Sequence, residues 1–146
     1  MPFTVGTIAI GSDHRAREIV DAISTYLEPL GWSVHKHYGG DAVSVDYPVP
    51  AKKVSEEVAS GLAECGILIC GSGIGMSMAA NKVQGVRAAL AHDPLAAEMS
   101  RRHNNANILC LAADGPLEND YNQIVARWLE TDFEGGRHQR RVDMLD

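Results

Sequence analysis

Apolar residues come along this chain in two rhythms. Short runs that are apolar almost throughout, at residues 7–10 (TIAI), 66–70 (GILIC), 86–91 and 108–112, predict strands buried on both faces. Residues 32–38 (WSVHKHY) predict one more strand. Between these runs, apolar positions return every third or fourth residue. Ile19, Val20, Ile23, Tyr26, Leu27 and Leu30 stripe a predicted helix over residues 16–30, and Gly31 stands where a helix stops. Further helices are predicted over residues 48–63, 75–81, 94–103 and 117–129, with Asp93 as N-cap of the one at 94–103. The tail, EGGRHQRRVDMLD, reads as a glycine hinge and then one more helix. Strand and helix alternate, which predicts an α/β fold: a parallel sheet covered by helices on both sides. In such sheets ligands sit beyond the carboxyl ends of the strands. The polar clusters GSDH, CGSGIG and HDP fall at those ends.

Composition narrows the class. A length of 146 residues suits a single domain, and the whole of 1–146 is read as one. The formal net charge of −6 argues against broad binding to nucleic acid or to an anionic membrane. No apolar run approaches the roughly 20 residues of a membrane span. The first residues lack the basic and apolar regions of a secretory leader. Three cysteines, Cys65, Cys70 and Cys110, make an odd set without framework spacing. Reduced thiols and a cytoplasmic location are therefore expected.

The stretch ILICGSGIGMSMAANK carries the sharpest chemical signal. An apolar strand stops at Cys70, glycines follow at 71, 73 and 75, and a helical pattern begins. The spacing is G-x-G-x-G, not the dinucleotide G-x-G-x-x-G, and it lacks the Lys-Ser/Thr of a P-loop. Three readings fit: a nucleotide cradle, a tight turn that only packs helix on strand, and an anion hole built from backbone N–H groups. Cys70 favours the anion hole. A cysteine at a strand end is usually a small core residue, but this one immediately precedes a helix N-terminus, a setting that lowers a thiol pKa. Cys65 and Cys110 have no such setting and read as core.

Other groups are weaker signals. Asp13 and His14 orient a substrate or cap the next helix. His103 and Asn104 end a helix, where an Asn can form a left-handed C-cap. Arg137 and Arg141 are four apart on a predicted helix, so they share a face and could grip one phosphate; a solvated basic face is the plainer reading. His35 and His37 share a strand face with no third ligand near in sequence, so no metal site is read there.

Taken together, GSDH (11–14), VDYP (45–48), ILICGSGIGMSMAANK (67–82), SRRHNNAN (100–107) and EGGRHQRRV (134–142) resemble the ribose-5-phosphate isomerase B family, which also includes allose- and galactose-6-phosphate isomerases. The resemblance runs from end to end of the chain. It implies a three-layer α/β/α fold with an open, Rossmann-like, five-stranded parallel sheet. It implies aldose–ketose isomerisation without metal or cofactor, in a homodimer with shared active sites; pairing of dimers into tetramers is left open. By resemblance, Cys70 is the base that moves a proton between C1 and C2. Ser72 assists proton transfer at the oxygens, and the amides of Gly71, Gly73 and Gly75 hold the enediolate. His103 opens the furanose ring beside Asn104. Asp13, Asp46 and Tyr47 match sugar- or base-contacting positions. His14, Arg137 and Arg141 match phosphate contacts, so segment 134–146 is expected to serve both the dimer and the phosphate. One family branch uses a glutamate where this chain has Met76. The retained cysteine places this sequence with the other branch.

Two positions depart from the pattern. Asp114 stands where many members have an arginine that helps bind phosphate, and Arg15 stands where a small or apolar residue is common. Arg15 is expected to replace the lost charge or to pair with Asp114 across the dimer. Asp114 also keeps two alternatives open: the same chemistry on another sugar phosphate, or on a sugar without phosphate. A non-catalytic sugar- or nucleotide-binding module is a third, which the thiol, Ser72 and His103 argue against.

Overall fold

The computed structural model describes residues 2–39, 44–114 and 120–146. Five strands form one sheet, all parallel: β1 (Thr7–Ser12), β2 (Ser33–His37), β3 (Cys65–Cys70), β4 (Ala88–Leu90) and β5 (Ile108–Ala112), in the order β2-β1-β3-β5-β4. The helices are α1 (Arg17–Leu27), α2 (Pro48–Ser60), α3 (Ile74–Ala80), α4 (Pro94–Asn104), α5 (Tyr121–Glu130) and α6 (Arg137–Val142). The predicted α/β fold is the observed one.

Strand periodicity sorts the core into two layers. Ile8, Ile10, Ile67, Ile69, Leu109 and Leu111 point to one face, where Val20, Ile23 and Leu27 of α1 and Ile124, Val125 and Trp128 of α5 cover them. Ala9, Leu68, Cys70, Ile108 and Cys110 point to the other, under Ala51, Val54 and Val58 of α2 and Met76 and Ala80 of α3. All six residues of β3 are buried, so the central strand has no polar face.

Several boundaries move for local reasons. The first predicted helix breaks after Leu27 into a 3-10 turn, Glu28–Leu30, because Pro29 has no N–H to extend the α pattern. Gly31 then takes φ 99°. The fourth strand is trimmed to three residues at the sheet edge. Asp93 caps α4 as expected, its side chain accepting from Ala96 N–H at 2.7 Å. The helix predicted over 117–129 begins at Tyr121, capped by Asp120; residues 117–119 lie outside the described residues, as does part of the loop predicted after the second strand. The glycine hinge is present: Gly135 and Gly136 both have positive φ ahead of α6.

Candidate active site

The carboxyl ends of the strands gather one cluster of the predicted residues. Cys70 is the last residue of β3 and is 6% exposed. Its carbonyl accepts from Ala113 N–H at 2.9 Å, and the Gly71 carbonyl accepts from Asp114 N–H at 2.9 Å. In a trans peptide the carbonyl of one residue and the N–H of the next point opposite ways, so the Ser72 N–H faces away from β5. Ser72 Oγ accepts from Ile74 N–H at 3.2 Å and closes the turn into α3.

Two glycines of the loop are required by their surroundings. Gly73 has φ 75°, and a Cβ there would stand 2.5 Å from Leu90 Cδ1 and 3.0 Å from the Leu111 carbonyl. A Cβ at Gly75 would stand 2.6 Å from Cε1 of Tyr47, so the tyrosine ring lies directly on the loop. Tyr47 itself is set by α2, whose first residue, Pro48, follows it, and Asp46 stands beside it on the exposed lead-in.

The turn after β1 supplies Asp13 and His14. Asp13 Oδ1 accepts from Arg15 N–H at 3.0 Å. His14 Nδ1 accepts from Val45 N–H at 3.1 Å, which leaves Nε2 to carry the proton of a neutral ring. A cleft of about 270 Å³ opens beside the loop, lined by Gly71, Ser72, Ile74, His92, Ala112 and Asp114. His92 lies in the HDP cluster, but nothing in its sequence neighbourhood gave it a role.

The three cysteines separate physically. Cys65 and Cys110 are fully buried, and desolvation pushes both thiols up, out of reach of ionisation at neutral pH. Both are core, as expected. Cys70, buried but for 6% of its surface, directly precedes Gly71 and Ser72, which line the cleft.

A second cluster stands at the other end of the sheet. His103 and Asn104 close α4, and the chain then enters β5 at Ile108. Along β5, Ile108 pairs with Gly66 and Ala112 with Cys70. Four strand steps, about 13 Å, therefore separate the two levels. The helix end is fastened from inside: Arg101, 3% exposed, donates to Asn105 Oδ1 at 2.8 Å and to the Ala106 carbonyl at 2.7 Å. Desolvation lowers this guanidinium to about 10, which still leaves it charged. The left-handed C-cap residue is Asn105 (φ 50°), one place beyond Asn104.

Segment 134–142 packs here. Glu134 N–H donates to the Arg102 carbonyl at 3.0 Å, and its carboxylate lies 3.3 Å from Arg102 and 3.7 Å from His103. His138 stacks on His103 with ring centroids 4.5 Å apart and planes 17° apart. Desolvation, then His103, Arg137 and Arg141, hold the His138 imidazole below its ordinary value, while Glu134 pulls the other way. Arg137 and Arg141 are exposed on α6. Glu134 and His138 lie within EGGRHQRRV, but nothing in that stretch marks either of them for a role of its own.

The predicted site residues of one chain thus fall in two clusters. Asp13, His14, Asp46, Tyr47, Cys70, Gly71, Ser72, Gly73 and Gly75 belong to the first; His103, Asn104, Arg137 and Arg141 belong to the second. Arg15 and Asp114 do pair, at 2.9 Å, but within one chain, so the expectation of a pair across a dimer is replaced by a local one.

Two groups invite a metal. His103, Glu134 and His138 bring one ligand atom each within 4.8 Å of one another. The imidazoles are stacked almost parallel, so their in-plane lone pairs do not converge on one ion. His35 and His37 do have a third group beside them: Glu57 of α2 lies 3.4 Å from His35 and 3.0 Å from His37. That partner is invisible in sequence because it lies 20 residues away on another element. The largest cavity described, about 540 Å³, is lined by Asn81, Arg87, Asn104 and Asp146 among others and contains neither thiol nor imidazole. Among the described residues, no helix is long and apolar enough to cross a membrane.

Comparison with known proteins points to one family. Residues 8–145 match the family model described as Ribose/Galactose Isomerase. The chain is 38% identical to ribose-5-phosphate isomerase B of Escherichia coli over 94% of its own length and 93% of the relative's. It is 36% identical to a D-erythrulose-4-phosphate isomerase of Pectobacterium atrosepticum, over 95% and 92%. The structure of Clostridium thermocellum ribose-5-phosphate isomerase B superposes with a TM-score of 0.91 at 43% identity, covering 95% of this chain and 94% of that one. A cysteine at a strand end, a cleft-lining glycine turn directly after it and end-to-end similarity to these proteins converge on one conclusion: the chain belongs to the ribose/galactose isomerase family, in its ribose-5-phosphate isomerase B group, and is an aldose–ketose isomerase.

Proposed function

We propose that the chain interconverts ribose 5-phosphate and ribulose 5-phosphate through an enediolate, with Cys70 as the base. The observation that carries this reading is the seat of Cys70, one residue ahead of the glycine turn whose Gly71 and Ser72 line a cleft, while the other two thiols are fully buried in the core. The thiolate takes the proton from C2 of the open aldose and returns it to C1. Electrons from the broken C–H bond pass to the carbonyl oxygen, and loop amides hold the resulting oxyanion. A single such donor is worth about 2.7–4 kcal/mol in known oxyanion holes. Ser72 moves the hydroxyl proton between the two oxygens. Asp13, Asp46 and Tyr47 position the sugar.

The ring-opening His103, with Asn104, and the phosphate-gripping Arg137 and Arg141 reach this half-site from a second copy of the chain. Two features support a homodimer with shared sites. The cluster that holds His103 lies at the opposite end of the same sheet, about 13 Å along β5 from the level of Cys70, so His103 of the same chain is remote from the glycine-loop cleft. Tyr47, Val49, Ile74 and Met78 also expose an apolar surface around the glycine loop, 41–63% each, which a second subunit would cover.

A second reading keeps the chemistry and changes the sugar. It rests on Asp114, a carboxylate at the rim of the cleft, and on the similarity to the D-erythrulose-4-phosphate isomerase. Turnover of ribose, allose, galactose and erythrulose phosphates, and of the free sugars, measured with a chelator present, decides between the two. The first reading expects ribose 5-phosphate to have the highest kcat/KM. Cys70→Ala should lose about 10²–10⁴-fold or more in kcat with KM little changed. Full turnover in that variant would end the assignment of the base.

A further inference from the structure

Arg15 and Asp114 meet at the rim of the glycine-loop cleft, Nη2 to Oδ2 at 2.9 Å. More than half of each side chain is exposed, 58% and 60%. Their backbones, in contrast, are fastened. Arg15 N–H donates to Asp13 Oδ1 at 3.0 Å. On the other side, Ala113 N–H donates to the Cys70 carbonyl and Asp114 N–H to the Gly71 carbonyl, each at 2.9 Å. The Tyr121 hydroxyl donates to the Ala112 carbonyl at 2.8 Å. The carboxylate lies over the loop itself: Oδ2 stands 2.9 Å from where a Cβ on Gly71 would be, and Arg15 Nη1 3.5 Å from the same point.

A guanidinium is therefore held beside the loop that follows Cys70, and one carboxylate oxygen engages one of its nitrogens. An exposed pair of this kind contributes little stability, so a stronger anion can take the arginine over. A phosphate monoester is such an anion, with more charge and three oxygens for the planar fork. The neighbouring His14 has Nδ1 engaged by Val45 N–H, so its ring offers an Nε2–H donor beside Arg15. We propose that Arg15 reads the anionic far end of the substrate for this half of the site, and that Asp114 is the counter-ion that holds it over the cleft until a phosphate displaces it. This deepens the isomerase reading and rests on it: the substrate class is a sugar with a phosphate at the end remote from the reacting carbons.

The test pairs calorimetry of inorganic phosphate binding with KM for ribose 5-phosphate and for ribose. The proteins are the intact chain, Arg15→Ala, Asp114→Asn and the double variant Arg15→Ala/Asp114→Arg. Arg15→Ala should weaken phosphate binding and raise KM for ribose 5-phosphate about tenfold or more, the scale of one charge-assisted hydrogen bond. KM for ribose should move far less. Asp114→Asn, which removes the competing carboxylate, should tighten phosphate binding severalfold. The double variant places a guanidinium on the opposite side of the cleft and should recover most of the loss. Unchanged phosphate binding in Arg15→Ala overturns the proposal. So does an equal loss for ribose and ribose 5-phosphate, the mark of a merely structural role. Weaker phosphate binding in Asp114→Asn overturns the displaceable counter-ion. Phosphate binding is read without turnover, so a wild-type protein inactive on every sugar would sink the isomerase reading alone.

Discussion

Gly73 shows how much one residue settles in this protein. Its φ of 75° and the 2.5 Å approach of Leu90 leave no room for a side chain. The turn that follows directs the chain from Cys70 into α3. Gly73→Ala combines strain in the left-handed region with overpacking against Leu90 and the β5 backbone, each costing about 1–3 kcal/mol. Thermal unfolding should show Tm lowered by several degrees. An unchanged Tm would mean that the loop relaxes without disturbing β5. The glycines were legible in the sequence as a turn. The contact between Gly75 and the Tyr47 ring was not, because 28 residues and a whole helix separate them.

At the scale of elements, α4 and α6 determine where the second cluster stands. Arg101 locks the end of α4, and the stacked His103 and His138 join α6 to it. His138 is held below its ordinary value of 6.5. The unfolded chain therefore binds this proton first as pH falls, and folding loses stability on going down through 6.5. Acid sensitivity below that point should be smaller in His138→Gln, measured as the slope of Tm against pH between about 5 and 7. An identical slope in the two proteins would show that His138 does not contribute. The helices and their order could be read from periodicity, because each amphipathic stripe is a local pattern. Their ends were less legible: Pro29, Asn105 and the short edge strand β4 obey caps and packing, which a stripe does not record.

At the scale of the whole molecule, the proposed dimer would join two clusters that stand at opposite ends of one sheet. In a two-fold dimer each complete site would take its base from one copy and its ring-opening histidine from the other. Cys70→Ala and His103→Ala should each be inactive alone on ring-closed aldose. After unfolding and refolding as an equal mixture, half the dimers are mixed, and each of these holds one intact site. Activity should return to about a quarter of the wild-type value. A mixture as inactive as its parts would show that no site is shared.

What the sequence determined by itself was the class of fold and the chemistry on offer. Continuous apolar strands and striped helices can bury their surfaces in few ways, and a thiol ahead of a glycine turn advertises itself within six residues. Tertiary structure alone decided which groups meet. It set Arg15 on Asp114 in the same chain, Tyr47 on Gly75 and His138 on His103, and it sent His103 to the far end of the sheet from Cys70. Those meetings depend on strand order, in which β5 inserts between β3 and β4, and on the register of parallel pairs. Both are fixed by packing across the whole core, and no short stretch of sequence carries them.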